Sequence, residues 1–214
     1  MLAPRSGRMP RQAVVLLHGY GADGRDLIGL GQHWGALMPD ALFVAPDAPQ
    51  RCADNPLGYQ WFPLDLQRTI SSVVAGAPAA REAILGFLRD LWTQTGLTAG
   101  DTFLVGFSQG GMMALHAGLS VGEPVLGIVS FSGALVPPEG FGQGHLPKPP
   151  VCLVHGDMDQ VVDPRLSQEA AIALQAQGYD VTYYYSKGTA HGISPDGLDF
   201  ATDFMMSLLD DANG

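Results

Sequence analysis

Residues 102–111, Thr-Phe-Leu-Val-Gly-Phe-Ser-Gln-Gly-Gly, decide the fold that this chain is expected to adopt. The apolar run at 102–105 predicts a buried strand, and Gly106-Phe107-Ser108-Gln109-Gly110 then matches the pattern G-x-S-x-G where a helix is expected to begin. A strand, a sharp turn and a helix in this order push a serine hydroxyl out beyond the edge of a sheet. We therefore take Ser108 as a candidate nucleophile, with an ordinary glycine-rich turn as the alternative interpretation.

Strand patterns and helix patterns alternate along the whole chain. Six short apolar runs predict buried strands: 13–17, 42–45, 102–105, 125–131, 151–155 and 181–185. Five segments with helical periodicity predict helices: 25–38, 79–95, 109–119, 164–177 and 195–209. This alternation predicts an α/β fold with a mostly parallel central sheet and helices on both faces. Ligands bind such sheets beyond the carboxyl ends of the strands, so the residues that follow each strand are the candidates for chemistry.

A serine nucleophile requires a histidine base, and in this class of fold the order along the chain is serine, acid, histidine. Five of the six histidines fit poorly, because they precede the serine, share its helix, lack an intervening aspartate or end a strand: His18, His33, His116, His145 and His155. His191 instead follows the strand expected at 181–185, in a loop before the helix start at Ser194-Pro195. An exposed imidazole there can reach a neighbouring strand end, so His191 is the predicted base.

Two carboxylates follow the strand expected at 151–155, in the stretch His155-Gly156-Asp157-Met158-Asp159. Asp157 lies close to the turn, where an aspartate usually bonds its own backbone. Asp159 lies where the loop turns towards the next helix, and it is the predicted acid. The alternative interpretation is that Asp159 is a second turn residue.

The loop after the first strand, His18-Gly19-Tyr20-Gly21-Ala22-Asp23-Gly24, is placed to donate backbone N–H groups to an oxyanion. The amides of Tyr20 and Gln109 are the predicted pair of donors. The same loop also contains G-x-G-x-x-G after a strand, and Asp47 follows about 20 residues later, as in dinucleotide-binding proteins. A dinucleotide-binding protein that uses the Gly19-Gly21-Gly24 loop is therefore a second hypothesis, which leaves the serine, aspartate and histidine above unexplained.

These stretches resemble the phospholipase/carboxylesterase family of α/β-hydrolases, which includes acyl-protein thioesterases and small bacterial carboxylesterases. The resemblance covers nearly the whole chain and rests on five stretches: LLHGYGADG at 16–24, APDAP at 45–49, GFSQGG at 106–111, HGDMDQVV at 155–162 and His191-Gly192. It implies an α/β-hydrolase fold and an enzyme without a cofactor. It also implies that Ser108, Asp159 and His191 form a catalytic triad. The amides of Tyr20 and Gln109 would form the oxyanion hole.

The expected function is that of a serine carboxylesterase, which hydrolyses small to medium-chain acyl esters through an acyl-enzyme. An acyl-thioesterase or lysophospholipase with the same triad is the alternative. The chain departs from the family where relatives often have Trp-Phe-Asp, because it has Trp61-Phe62-Pro63, so any role of that aspartate is in doubt here. Dienelactone hydrolases look similar in outline, but they use a cysteine nucleophile and residue 108 is serine.

The segment 52–78 is too long for a plain connection, and long loops of this kind are usually functional. It is rich in large apolar side chains: Leu57, Tyr59, Trp61, Phe62, Leu64, Leu66 and Ile70. We expect this segment to wall an acyl pocket with Trp61 and Phe62 as substrate-binding residues. Phe141 would add a second wall. Simple packing of these side chains is the alternative.

Charge and composition exclude several classes of protein. The 214 residues include 11 Lys plus Arg and 21 Asp plus Glu, for a formal net charge of −10, and no stretch is basic enough to bind a run of phosphates. We therefore expect no nucleic acid partner. With 46% hydrophobic residues the chain can build its own core, so a single domain is expected over 1–214, with 1–11 as a flexible N-terminal tail.

Targeting patterns and cysteine content favour the cytoplasm. No run approaches the ~20 apolar residues of a membrane-spanning helix, and the apolar run at 13–17 is too short for a secretion signal. Cys52 and Cys152 are the only cysteines, and their spacing predicts neither a disulfide framework nor a zinc site. We expect a cytoplasmic protein without a metal, whose partner is a small-molecule acyl ester. The oligomeric state stays open, and a homodimer is compatible with the sequence.

Overall fold

A six-stranded parallel sheet forms the centre of the computed structural model, which describes residues 1–64 and 70–213. In chain order its strands are β1 (Gln12–Leu17), β2 (Ala41–Val44), β5 (Thr102–Phe107), β6 (Gly127–Phe131), β7 (Val151–Gly156) and β8 (Val181–Ser186). They lie side by side in the order β2-β1-β5-β6-β7-β8, and every neighbouring pair is parallel. A short antiparallel ribbon, β3 (Gln50–Arg51) and β4 (Tyr59–Gln60), interrupts the connection after β2.

Helices cover both faces of this sheet. They are α1 (Gly24–Trp34), α2 (Ile70–Thr95), α3 (Gln109–Gly118), α4 (Arg165–Ala176) and α5 (Pro195–Asn213). Buried side chains of α2, α3 and α4 pack in one apolar cluster, and those of α1 and α5 pack in a second cluster. The predicted mostly parallel sheet with helices on both faces is confirmed.

Strand β1 shows why the sequences of the central strands are continuous apolar runs. Ala13, Val15 and Leu17 pack in the cluster beneath α2, α3 and α4. Val14 and Leu16 point to the opposite face and pack in the cluster beneath α1 and α5. Successive side chains of a strand alternate between faces, so a strand that is covered on both sides must be apolar throughout.

The strand order places a crevice at one edge of the sheet. From β1 the chain moves outward to β2 and then returns past β1 to form β5 on its other side. The loops that follow β1 and β5 therefore diverge, and ligands bind open α/β sheets at such switch points. The loop 18–24 and Ser108 follow these two strands.

Helix α2 differs most from its expected extent. Helix α2 begins at Ile70 and contains Pro78, whereas the helical pattern in the sequence begins at residue 79. A proline inside a helix usually kinks or breaks it. Tertiary packing accounts for the longer helix, because its first turns lie so close to Phe62 that a Cβ atom on Gly76 would come within 2.4 Å of that side chain.

The N-terminal segment is held against the sheet, in contrast to the flexible tail expected over 1–11. Leu2 and Phe43 exchange two backbone hydrogen bonds of 2.8 and 3.0 Å along the free edge of β2. Arg8 pairs with Asp40 at 3.0 Å. Unpaired backbone groups on an edge strand supply partners that the sequence pattern does not reveal.

None of the helices within residues 1–64 and 70–213 combines the length and the apolar composition that crossing a bilayer requires.

Candidate active site

Ser108 occupies a strained turn between β5 and α3. Its backbone has φ 55° and ψ −118°, a positive-φ conformation that residues other than glycine rarely adopt. The close approach of chain segments around it requires glycine on both sides. A Cβ atom on Gly106 would lie 2.1 Å from the carbonyl oxygen of Gly110, and one on Gly110 would lie 1.9 Å from that of Leu17. The sequence G-x-S-x-G therefore produces the turn that presents the Ser108 hydroxyl.

His191 lies between Ser108 and Asp159. Its Nε2 atom is 2.9 Å from the Ser108 Oγ atom, and its Nδ1 atom is 2.7 Å from the Asp159 Oδ2 atom. An ionised carboxylate only accepts hydrogen bonds, so Nδ1 carries the proton and Nε2 accepts from the serine hydroxyl. The structure thus brings together the predicted nucleophile, base and acid from the loops after β5, β8 and β7.

The Asp159 carboxylate is buried and accepts hydrogen bonds on both oxygens. Its Oδ1 atom accepts the backbone N–H groups of Val161 at 2.8 Å and Val162 at 3.0 Å. Burial alone would raise the pKa of Asp159, but hydrogen bonds from His191 and these two amides outweigh burial and hold that pKa below its usual value of 3.8. Asp159 therefore remains ionised beside His191 at neutral pH.

Asp157 has a different role from the local turn bond expected for it. Its Oδ1 atom accepts the backbone N–H of Gly188 at 2.6 Å, and the N–H of Met158 donates to the carbonyl of Thr189 at 3.0 Å. Both contacts tie the loop after β7 to the loop that leads to His191. Asp157 therefore helps to hold the histidine loop and does not contact the imidazole.

Tyr20 and Gln109, the predicted oxyanion donors, line the same pocket as Ser108 and His191. The Gln109 side chain is engaged away from the nucleophile, because its Oε1 atom accepts the N–H of Trp61 and its Nε2 atom donates to the carbonyl of Phe62, both at 2.9 Å. Only the backbone N–H of Gln109 is thus left to serve an oxyanion at the start of α3.

The glycine loop 19–24 uses its polar groups in hydrogen bonds within the protein. The N–H of Gly24 donates to the Asp47 Oδ1 atom at 2.9 Å, and the Asp23 side chain caps α1 by accepting the N–H of Arg25 at 2.8 Å. A dinucleotide would need the start of this helix for its phosphates and the acidic residue for its ribose. Both are used inside the protein, so the structure does not support the dinucleotide hypothesis.

A pocket of about 580 Å³ opens above Ser108 and His191. Its walls are mostly aliphatic: Ala22, Leu64, Val73, Val74, Met112, Ala134, Leu135, Val136, Pro137, Val161, Val162 and Leu166. Two carboxylates, Asp26 and Asp163, also line it. The sequence analysis named Leu64 in the segment expected to wall the pocket, and Val161 and Val162 belong to a stretch that it singled out, but it missed most of the other wall residues.

Trp61, Phe62 and Phe141 are not among the pocket-lining residues, contrary to their expected role in substrate binding. Trp61 and Phe62 are 3% and 1% exposed and pack in the core, and the Trp61 Nε1 atom donates to the carbonyl of His18 at 2.9 Å. Phe141 stacks on Tyr179 at 6.3 Å between ring centroids. The segment 52–78 still contributes to the wall through Leu64 and α2. Leu66 lies outside the described residues, and the side chain of Ile70 is likewise not described.

Within residues 1–64 and 70–213, no group of three or more His, Cys, Asp or Glu side chains could hold a metal ion.

Comparison with known proteins identifies the family. The model of the phospholipase/carboxylesterase family matches residues 5–209. This chain belongs to the phospholipase/carboxylesterase family. Esterase YpfH of Escherichia coli strain K12 is 30% identical, covering 91% of this chain and 82% of that protein. Acyl-protein thioesterase 1 of Gibberella zeae is 26% identical, covering 94% and 92%.

The fold agrees with this assignment. The crystal structure of esterase PE8 matches with a TM-score of 0.93 and 50% identity, covering 97% of this chain and 96% of that one. The predicted α/β-hydrolase fold and family are confirmed, and the family makes this chain a carboxylic ester hydrolase, as its sequence predicts.

Proposed function

We propose that this member of the phospholipase/carboxylesterase family is a serine carboxylesterase that hydrolyses small to medium-chain acyl esters through an acyl-enzyme on Ser108. One observation carries the proposal. Hydrogen bonds link the Ser108 hydroxyl to His191 and His191 to the buried Asp159 carboxylate. Ser108 and His191 both line an apolar pocket. Such a path activates a serine that would otherwise be a weak nucleophile.

In the proposed mechanism, the Ser108 Oγ atom attacks the ester carbonyl while the His191 Nε2 atom takes the hydroxyl proton. Asp159 keeps the Nδ1 proton in place and stabilises the imidazolium that forms. The backbone amides of Tyr20 and Gln109 bind the oxyanion, and each such donor is typically worth about 2.7–4 kcal/mol. His191 then returns the proton to the leaving alcohol, and the same steps with water release the acid and free Ser108.

The composition of the pocket wall supports an uncharged or zwitterionic acyl ester. The wall is mostly aliphatic, and the described lining residues include the carboxylates Asp26 and Asp163 but no Lys or Arg. An aliphatic wall favours an acyl chain by about 0.8 kcal/mol for each methylene that it buries. The two carboxylates repel an acyl group that carries its own negative charge.

A thioester substrate is the second candidate, since one of the related proteins is an acyl-protein thioesterase. Attack by Ser108 and the same oxyanion donors serve the carbonyl of an ester and the carbonyl of a thioester, so the proposed mechanism needs no change. Lysophospholipids also fit the definition of a zwitterionic acyl ester. Relative kcat/KM values on matched oxygen esters, thioesters and lysophospholipids rank these substrates.

We further propose a cytoplasmic location, which the two free thiols support. Cys52 and Cys152 are both buried and unpaired with each other, as is usual in a reducing compartment. The homodimer stays a prediction, and light scattering coupled to size-exclusion chromatography measures it.

The experiment that tests the proposed function is covalent labelling with a fluorophosphonate. We expect a single adduct, located on Ser108 by mass spectrometry, and loss of p-nitrophenyl ester hydrolysis in step with labelling. Ser108→Ala is the matched control and should neither label nor turn over. Labelling at another residue, or an active Ser108→Ala protein, would overturn the proposal.

A further inference from the structure

A second histidine contacts the acid of the candidate triad. The His155 Nε2 atom lies 3.1 Å from the Asp159 Oδ2 atom, the same oxygen that accepts from His191 at 2.7 Å. The side chains of His155 and Asp159 are both completely buried. His155 is the last residue but one of β7, and it takes no part in the serine attack described above.

The surroundings of His155 fix which of its nitrogens carries the proton. Its Nε2 atom faces two acceptors, the Asp159 carboxylate and the Val162 carbonyl at 3.0 Å, so Nε2 must be the donor. Its Nδ1 atom is 2.6 Å from the Ser167 Oγ atom, whose other neighbour, the Gly133 carbonyl, is farther away at 3.2 Å. The single hydroxyl proton of Ser167 can serve only one of these two acceptors, and the shorter contact assigns it to Nδ1, which leaves His155 neutral.

The charges around His155 agree with the neutral form. Burial lowers the pKa of His155, and Asp159 opposes this effect while His191 adds to it. Asp163 also interacts electrostatically with His155. A neutral ring can hold the carboxylate without competing for its charge when His191 becomes an imidazolium.

We propose that His155, with its tautomer fixed by Ser167, is a positioning residue that holds the Asp159 carboxylate in place for His191. Asp159 then has a hydrogen-bond donor for each of four contacts: two backbone amides on Oδ1 and two imidazoles on Oδ2. Without the His155 imidazole, the Asp159 carboxylate is freer to rotate, and its negative charge acts more strongly on the His191 imidazole. This role rests on the proposed ester hydrolysis.

The test measures kcat, KM and the pH dependence of kcat/KM for His155→Leu and His155→Gln on a p-nitrophenyl ester. Leu removes the donor, so kcat is expected to fall roughly ten- to hundredfold with little change in KM, the size of one hydrogen bond to a charged group. The acid limb of the profile is expected to move to higher pH, because one ring now receives the whole carboxylate charge. Gln can place an N–H near the former Nε2 atom and is expected to restore most of both properties.

A double mutant shows whether His155 acts through Asp159. In the Asp159→Asn background the carboxylate is gone, so His155→Leu is expected to cost about threefold or less, because residues that act as a unit are not additive. A loss as large as in the wild-type background would overturn the proposal.

His116→Asn is the matched control for the loss of a buried histidine. His116 is 3% exposed, and its Nδ1 atom lies 2.8 Å from the Val136 carbonyl, a contact that the Asn side-chain amide can mimic. This variant is expected to lower thermal stability without moving the acid limb. Equal shifts of the limb in His116→Asn and His155→Leu would show a general effect of core damage and overturn the proposal.

Ser167→Ala covers the case in which His155→Leu does not fold, since it removes only a hydroxyl. Without that donor His155 becomes a weaker donor to Asp159, so kcat should fall severalfold and the limb should move in the same direction. Wild type and Ser108→Ala run in the same assay. Equal rates for these two would overturn the proposed function and this role with it, whereas an active wild type whose acid limb stays unmoved in the His155 and Ser167 variants overturns only the role of His155.

Discussion

Single residues two positions apart serve different purposes in the loop after β7. Asp159 is buried and accepts from His191, whereas Asp157 accepts a backbone N–H from the loop that leads to His191. A carboxylate can orient an imidazole and stabilise its positive charge, and a neutral amide in the same place cannot do both. A backbone N–H, in contrast, can donate equally well to a carboxylate or to an amide oxygen.

These contacts predict opposite results for two matched substitutions. Asp159→Asn is expected to lower kcat roughly 10³–10⁴-fold, because the amide no longer supports the imidazolium and can favour the wrong tautomer of His191. Asp157→Asn is expected to change kcat less than about tenfold, since its amide oxygen still accepts the N–H of Gly188. Steady-state kinetics on one ester measure both, and a larger loss for Asp157→Asn would reverse the assignment of the acid.

The candidate nucleophile, base and acid could be predicted because their constraints are local and ordered. Each follows an apolar strand, and only His191 meets the combined requirements of chain order, a preceding aspartate and a position in a loop. The wall residues could not be predicted in this way. Trp61, Phe62 and Phe141 are large and apolar, but hydrophobicity does not distinguish a core side chain from a pocket side chain. The contact between His155 and Asp159 depends on how β7 and the following loop bend, which no sequence pattern encodes.

Among the elements, α2 shows how packing modifies an expectation drawn from local sequence. All six strands of the sheet and all five helices were expected near their observed positions, because apolar periodicity is strong in buried elements. The helical pattern placed the start of α2 at residue 79, whereas the observed helix begins at Ile70, contains Pro78 and packs against Phe62. This extension brings Val73 and Val74 to the pocket wall.

Helix α2 should therefore set the acyl-chain length that the enzyme accepts. Val73→Phe adds bulk to the wall, so kcat/KM is expected to peak at a shorter acyl chain, with about 0.8 kcal/mol lost for each methylene that no longer fits. Phe141→Leu is the control, because Phe141 packs on Tyr179 and does not line the pocket.

Rates on p-nitrophenyl esters of increasing length give both profiles. If Phe141→Leu shifts the optimum while Val73→Phe leaves it in place, the acyl chain follows another path, nearer the loop that carries Phe141.

On the scale of the whole molecule, several buried histidines link stability to pH. Burial lowers the pKa of His18, His116 and His155 below the usual value of 6.5. His116 illustrates the cause: its Nδ1 atom faces the Val136 carbonyl, and its Nε2 atom has no hydrogen-bond partner among the described residues. A proton on Nε2 would bury a charge without a partner, so the folded chain resists protonation that the unfolded chain accepts.

The free energy of unfolding should consequently fall as the pH drops below about 6.5, where the unfolded chain takes up protons that the folded chain refuses. Each such histidine contributes up to about 1.4 kcal/mol per pH unit. Urea unfolding at several pH values between 7.5 and 5 measures this slope. His116→Asn should make the slope shallower, and an unchanged slope would mean that His116 is protonated in the fold as readily as in the unfolded chain.

The strand order also governs how the enzyme acquires its activity during folding. β1 pairs with β5, so Ala13 lies beside Thr102 although β2, the ribbon and α2 separate them along the chain. Pairs between such distant residues form slowly, because the entropy of closing a long loop opposes them. The loop 18–24 and Ser108 meet only when this pair exists. During refolding, helical content can therefore recover before esterase activity does. The return of ester hydrolysis then reports when β1 and β5 have paired.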